Sequence, residues 1–312
     1  MVGNSPSTSA NAPVRRHLIA SPQAKGVGLL LLAILIWGAN WPVMKLGLSH
    51  VTPVWFSATR FALGAVCLVV VQLATGTLRL PTRRDLPLVA SVGLLQMLTF
   101  TVLGAIAMTE VPAGRSAVLA YTTPLWVTPV AVLFLGERLS RRQLFGTLLG
   151  GIGVAILFNP FTQDWQNAAL IRANLMLLGA SFCWAMCILH LRHYQGNRSA
   201  FELAPWQMLV ATVPLTLLAW LLEGPYTGDG SWTFWQVILF IGPLATAFCF
   251  CAVNAASMWL SSTSMSSAML GVPVVGLLMS VIFMGETLTK PLLAGILAIV
   301  GGILVVTFKG RS

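Results

Sequence analysis

The sequence predicts an all-α polytopic membrane protein of ten transmembrane helices arranged as two inverted five-helix repeats. Three observations lead there: a composition too apolar for water, ten apolar runs of spanning length, and a self-similarity between the two halves. Of 312 residues, 57% are hydrophobic and 8% charged, whereas an average soluble domain is about 25% charged. A water-soluble globule with so few charges would expose apolar surface on nearly every side, so that class is excluded. A disordered chain and a disulfide-rich scaffold are excluded on the same grounds. The net charge of +10 would suggest nucleic acid in a soluble chain. Here basic loops set membrane orientation instead, and no nucleic-acid partner is expected.

A membrane helix needs about 20 apolar residues. Such runs fall at 26–45, 53–74, 86–108, 113–135, 141–158, 173–192, 201–222, 233–258, 262–284 and 289–308. Backbone groups cannot stay unpaired in hydrocarbon, so each run is expected to be a helix. Residues 1–25 read as a flexible polar tail, 26–158 as the first repeat and 173–308 as the second. The tail, alternate loops and the C-terminal end hold 13 of the 18 basic residues, among them Arg79, Arg83, Arg84, Arg138, Arg141, Arg142, Arg192, Arg198, Lys309 and Arg311. That asymmetry places both termini in the cytoplasm and requires an even number of spans.

The halves align with one another. Trp37 falls on Trp184 and Lys45 on Arg192 at an offset of 147. Segment 117–158 falls on 266–307 at an offset of 149, pairing Pro124 with Pro273, Gly136-Glu137 with Gly285-Glu286, Gly146 with Gly295 and Gly153 with Gly302. With five helices per half, the halves must cross the membrane in opposite senses. Inverted repeats of this kind are found in secondary transporters, whose sites lie near the midplane between repeats.

These residues also carry a family likeness. The first half has Trp37-Gly38-Ala39-Asn40-Trp41, Arg60-Phe61, Ala113-Gly114, Pro124 and Leu135-Gly136-Glu137-Arg138-Leu139. The second has Trp184, Pro273 and Gly285-Glu286-Thr287-Leu288. Over roughly residues 26–308 the chain resembles the EamA-type drug/metabolite transporters, which have ten helices in two EamA repeats. The resemblance implies transport of small organic metabolites, commonly export and including amino acids. It also implies a central cavity lined mainly by helices 1, 3, 4, 6, 8 and 9, in a multi-pass protein of the bacterial inner membrane.

Polar and aromatic side chains inside the spans are the candidate site. Trp37, Asn40, Trp41 and Met44 recur at spacings of three and four on one helical face. Asn40 should avoid lipid and face a cavity or another helix. Helix 3 offers Gln96, Thr99 and Phe100; helix 4 offers Tyr121, Thr122 and Thr123; helix 6 offers Trp184 and His190; helix 8 offers Asn254 and Ser257; helix 9 offers Ser266 and Ser267. The competing reading of the hydroxyls is helix-to-helix hydrogen bonding. Trp37, Asn40, Trp41, Gln96, Phe100, Tyr121, Trp184, His190 and Asn254 are expected to bind substrate. Pro124 and Pro273 each remove a backbone donor and are expected to kink their helices as hinges or gates. Gly146, Gly150, Gly295, Gly301 and Gly302 read as close helix contacts.

The eight acids all fall in loops or near helix ends. A proton relay usually needs an intramembrane ionisable group, so proton coupling is disfavoured and the chamber is expected to be uncharged. Arg60, the most internal charge, is expected to be a structural anchor, with contact to an anionic group as the alternative. The five cysteines lie in apolar runs without metal-ligand or disulfide spacing, so no metal and no cofactor are expected. Signatures of a zinc hydrolase or of Gly-x-Ser-x-Gly are missing from the spans, which speaks against an enzyme. The sequence therefore points to a monomeric exporter of a small neutral or zwitterionic metabolite, first an amino acid, with a nucleoside, sugar derivative or drug as the alternative.

Overall fold

The computed structural model describes residues 22–136, 140–158, 167–260, 265 and 268–307, which are mostly helical with no strand among them. The helices are α1 (Pro22–Gly47), α2 (Pro53–Ala74), α3 (Leu86–Glu110), α4 (Ala113–Leu135), α5 (Arg141–Phe158), α6 (Ala168–His193), α7 (Ala200–Glu223), α8 (Trp232–Ser257), α9 (Gly271–Met284) and α10 (Lys290–Thr307). Seven of them, α1–α4 and α6–α8, are long and apolar enough to cross a bilayer, and α9 and α10 are shorter apolar helices. Most of the tail expected at 1–25, Glu137 to Leu139, and Ser266 and Ser267 lie outside the described residues. Large side chains such as Phe134, Val213, Trp220, Ile282 and Phe283 stay exposed on the outer faces. Water would not tolerate such a belt, and lipid covers it without cost.

Packing follows one rule. α2 packs on α7, α4 on α9 and α5 on α10, while α1 packs on α8 and α9 just as α6 packs on α3 and α4. Exchanging helices α1–α5 with α6–α10 leaves these pairings unchanged. The α5–α10 pair is close because its contact residues are glycines. A Cβ added to Gly302 would sit 2.5 Å from the Gly146 carbonyl oxygen and the Gly150 nitrogen.

Local geometry repeats at the same offsets. Residues Val92–Thr99 of α3 and Phe240–Phe248 of α8 are π-helical, within continuous helices. Thr99 Oγ1 donates to Leu94 O and Thr246 Oγ1 to Ile241 O, each five residues back, at 2.8 Å. α4 breaks at Tyr121-Thr122, and a turn at Leu270 precedes α9. Pro124 and Pro273 therefore sit in the first turn of a new helical segment, where the lost N–H is an orphan in any case. Each proline starts a segment after a break, rather than kinking a continuous helix from within.

The loops clasp the two halves together at both ends. At one end, Glu223 at the close of α7 accepts from Thr52 Oγ1 (2.5 Å), Val54 N (2.9 Å) and Trp55 N (3.0 Å), capping α2. His50 Nδ1 meets Asp229 Oδ2 at 2.6 Å beside it, and this hydrogen bond is the main influence holding the Asp229 carboxyl below its usual range. At the other end, buried Asp85 accepts from Asn197 N (2.6 Å) and Arg198 N (3.1 Å) of the α6–α7 connection and from Thr82. Burial pushes the Asp85 carboxyl up, but the bonds from Thr82, Arg198 and Asn197 outweigh it and hold its pKa at about 2. Trp206 Nε1 donates to Arg79 O (2.8 Å) and Tyr194 Oη to Arg84 O (2.9 Å) at the same end.

Candidate functional site

Between the halves lies a chamber of about 390 Å³, lined from α1, α2, α3, α4, α6, α7 and α8 and by Met269 just before α9. Of the nine residues that the sequence singles out, Trp37, Asn40, Trp41, Gln96, Phe100, Tyr121, Trp184 and Asn254 line it. The α1 face forms as its spacing requires, with Met44 completing it. Trp37 Nε1 donates to Ala245 O (2.7 Å), within the π-helical stretch of α8. Asn40 is 6% exposed; its Nδ2 points at Met44 Sδ (3.0 Å), and its Oδ1 accepts no hydrogen bond among the described residues.

Four rings from four helices make a continuous aromatic wall. Trp41 meets Tyr121 with centroids 6.4 Å apart, Tyr121 meets Trp184 at 5.3 Å, and Trp184 meets Phe100 at 5.1 Å, all edge to face. Each such contact contributes about 0.5–1.5 kcal/mol beyond area burial. The break in α4 at Tyr121 turns its ring into the chamber, between Trp41 and Trp184.

Some expectations are corrected. His190 is not among the lining residues. Its Nδ1 meets Ser91 Oγ at 2.8 Å and its ring stacks on Tyr194 at 5.2 Å, so the end of α6 turns it toward the start of α3. Thr99 also turns away: the wider π turn of α3 moves it off the face of Gln96 and Phe100, and Met97, Thr101 and Gly104 line the chamber with those two instead. Thr122 and Thr123 are buried and pair with Ser181 Oγ of α6 at 3.0 and 3.2 Å, joining helices. Ser257 is exposed and bonds Asn254 O (2.7 Å). Nor is the chamber uncharged, because Arg60 lines it and donates from Nε to Thr246 Oγ1 at 2.8 Å. Thr246, like Thr101, was not singled out from sequence, since a lone threonine in an apolar run carries no distinguishing signal there.

The chamber is closed at one end and more open at the other. Toward the His50 end, Trp41, Met44 and Thr101 are 4–5% exposed, whereas Gln96, Asn254 and Met269 toward the Asp85 end are only partly buried. The His50 end is sealed by contacts between the halves. The Glu286 carboxylate accepts from Ala113 N (2.7 Å) and Gly114 N (3.0 Å), capping α4, a position where the helix dipole favours an anion. Within the first half, the Lys45 ammonium donates to Met108 O at the end of α3, at the same end. A separate shallow groove between Leu103 and the Ala168–Gly179 stretch is apolar apart from Arg172 and lies outside the chamber.

Comparisons with known proteins agree with this architecture. The model of the EamA-like transporter family matches twice, over residues 24–159 and 171–308. An uncharacterized transporter of Bacillus subtilis, YvbV, is 25% identical, covering 93% of this chain and 94% of its own length. A probable amino-acid metabolite efflux pump of Salmonella typhimurium is 26% identical over 91% of this chain and 95% of its own. A probable terminal-alkyne amino-acid exporter of Streptantibioticus cattleyicolor is 27% identical over 90% and 91%. One solved crystal structure superimposes with a TM-score of 0.62 at 20% identity, over 91% of this chain and 97% of its own, which speaks to the fold alone. With two family matches that together cover most of its length and divide it where the two halves meet, this chain belongs to the EamA-like transporter family.

Proposed function

We propose that this transporter exports a small zwitterionic metabolite, an amino acid, by alternating access about the central chamber. The observation that carries this reading is the chamber itself: aromatic-walled, edged with amides and hydroxyls, sealed at one end and open toward the other. Ring faces suit an apolar side chain, and amides and hydroxyls suit its polar end. Trp37, Asn40, Trp41, Gln96, Phe100, Tyr121, Trp184 and Asn254 are the proposed contacts. Relatives named as amino-acid efflux proteins support the cargo class.

In this proposal all ten helices cross the inner membrane, the two repeats run in opposite senses, and the protein works as a monomer. The exchange-invariant packing and the matched π turns support the pairing of repeats. The arginines clustered around Asp85 support a cytoplasmic position for that end. The chamber is then open to the cytoplasm and shut to the outside. Two similar halves of opposite sense give two exchanged states of similar energy. Pro124 and Pro273, each just after a break, are the proposed hinges, where a change of backbone angle disturbs few hydrogen bonds. Among the described residues no carboxylate lines the chamber, so transport runs down the cargo gradient without a proton relay. Catalysis has no part in this account.

The test is efflux from proteoliposomes loaded with labelled amino acids, with and without a proton gradient. Protein-dependent efflux, unchanged by the gradient, is expected. Absence of flux across all the amino acids would defeat the cargo assignment.

A further inference from the structure

We propose that Arg60 is the anion-binding residue of the chamber and that the cargo presents a carboxylate to it. This deepens the transport reading and rests on it for the chamber's role. Arg60 lies two turns into α2, about 10 Å along the axis from Pro53. Its guanidinium carries five N–H donors. One goes to Thr246 Oγ1 at 2.8 Å, another approaches Met44 Sδ at 3.5 Å, and the head lies 5.4 Å from the Phe61 ring centroid. The remaining donors have no partner among the described residues, and Arg60 makes no ion pair there. A cation held inside a membrane protein without a counter-charge is costly and is retained where it is used.

Two further observations separate a site from a structural anchor. The scaffold does not need charge at this place. The matching position in α7, at the repeat offset of 147, is Gln207, which is neutral, buried and packed against the π turn of α3. Arg60 reaches the matching π turn of α8 through Thr246, so one half has specialised. Second, the head is fixed rather than free. The π turn aims the Thr246 hydroxyl at Nε while its own hydrogen goes to Ile241 O, leaving the terminal nitrogens to a ligand. A carboxylate matches that planar fork with two parallel bonds. A single cation also balances a single negative charge, whereas a phosphate dianion would leave the chamber net negative. Asn40 of the same lining is 6% exposed, and its Oδ1 has no hydrogen-bond partner among the described residues.

Binding to the full-length purified protein tests this, read by quenching of chamber tryptophans and by calorimetry. The probes are L-phenylalanine, 3-phenylpropanoate, 2-phenylethylamine and phenyl phosphate. Wild type is expected to bind the first two and to bind the amine at least tenfold more weakly. Arg60→Gln should weaken both carboxylates at least tenfold and leave the amine unchanged, with Arg60→Lys between. Should Arg60→Gln fail to fold, the wild-type comparison of 3-phenylpropanoate with the amine decides alone. Amine affinity equal to that of the amino acid, binding of neither carboxylate, a tenfold preference for phenyl phosphate, or full carboxylate affinity in a folded Arg60→Gln protein would each overturn the assignment. Binding of 3-phenylpropanoate through Arg60 without binding of L-phenylalanine would leave the anion site standing and remove the aromatic amino-acid cargo.

Discussion

Removing the Glu286 carboxylate should release the seal at the His50 end. Glu286 bridges the halves: it follows α9, and its oxygens accept from Ala113 N at 2.7 Å and Gly114 N at 3.0 Å at the start of α4. Hydrogen bonds to a charged group contribute about 1.5–3 kcal/mol each when sheltered. The side chain is only half-buried, so about 2 kcal/mol for the pair is a fair figure after solvent screening. At 1.4 kcal/mol per factor of ten, Glu286→Ala should raise the population open at this end about thirtyfold. Gly114→Ala should act in the same direction, because its Cβ would fall 2.8 Å from Glu286 Oε2 and displace it. The assay is a single cysteine at position 101, replacing Thr101 in a cysteine-free background, labelled by an impermeant maleimide from the outer side. Thr101 is 5% exposed and lines the chamber, so wild-type labelling should be slow and both variants fast. If labelling stays slow while the melting temperature falls, Glu286 holds the fold together and does not gate it.

Other perturbations probe separate parts of the structure. Gly302→Leu should separate α5 from α10, since even a Cβ meets Gly146 and Gly150 at 2.5 Å; the expected cost is above about 2 kcal/mol, read as a loss of melting temperature in detergent. Asp85 has a folded pKa near 2, below its ordinary value. Its contribution to stability is therefore complete above about pH 4 and lost as pH falls through the folded value. Asp85→Asn should lower stability at pH 7 and flatten the acid limb of the stability profile; an unchanged limb would remove Asp85 from the clasp. His190→Ala should leave cargo affinity unchanged, while Trp184→Ala, which breaks two ring contacts of the wall, should weaken it at least tenfold in a binding titration.

Much of the fold was legible because hydrocarbon imposes a strict rule on sequence. A run of apolar residues must become a helix, and each apolar run read from the sequence is helical over most of its described residues, with turns only at points such as Tyr121-Thr122 and Leu270. The α1 face was legible for a related reason: Trp37, Asn40, Trp41 and Met44 keep α-helical spacing, and α1 keeps α-helical geometry. The same reasoning misplaced Thr99, because the π turn of α3 adds a residue to the turn and changes the face. No residue pattern announces that turn in advance. His190 was misread for want of a partner, as Ser91, about a hundred positions away, captures it. Arg60 was visible as the most internal charge, but its direction depends on Thr246, 186 residues later, and on the π turn that aims it. The prolines were legible as breakers, whereas their place after a break is a matter of the preceding turn.

The most direct test of the chamber as the transport path is to fill it. Gly104 lines the chamber, and a Cβ placed there meets no atom within 4 Å, so a large side chain projects into the void rather than into the backbone. The Gly104→Trp protein should melt within a few degrees of wild type and show no protein-dependent amino-acid flux in proteoliposomes. Wild-type flux through this folded variant would mean that cargo crosses elsewhere.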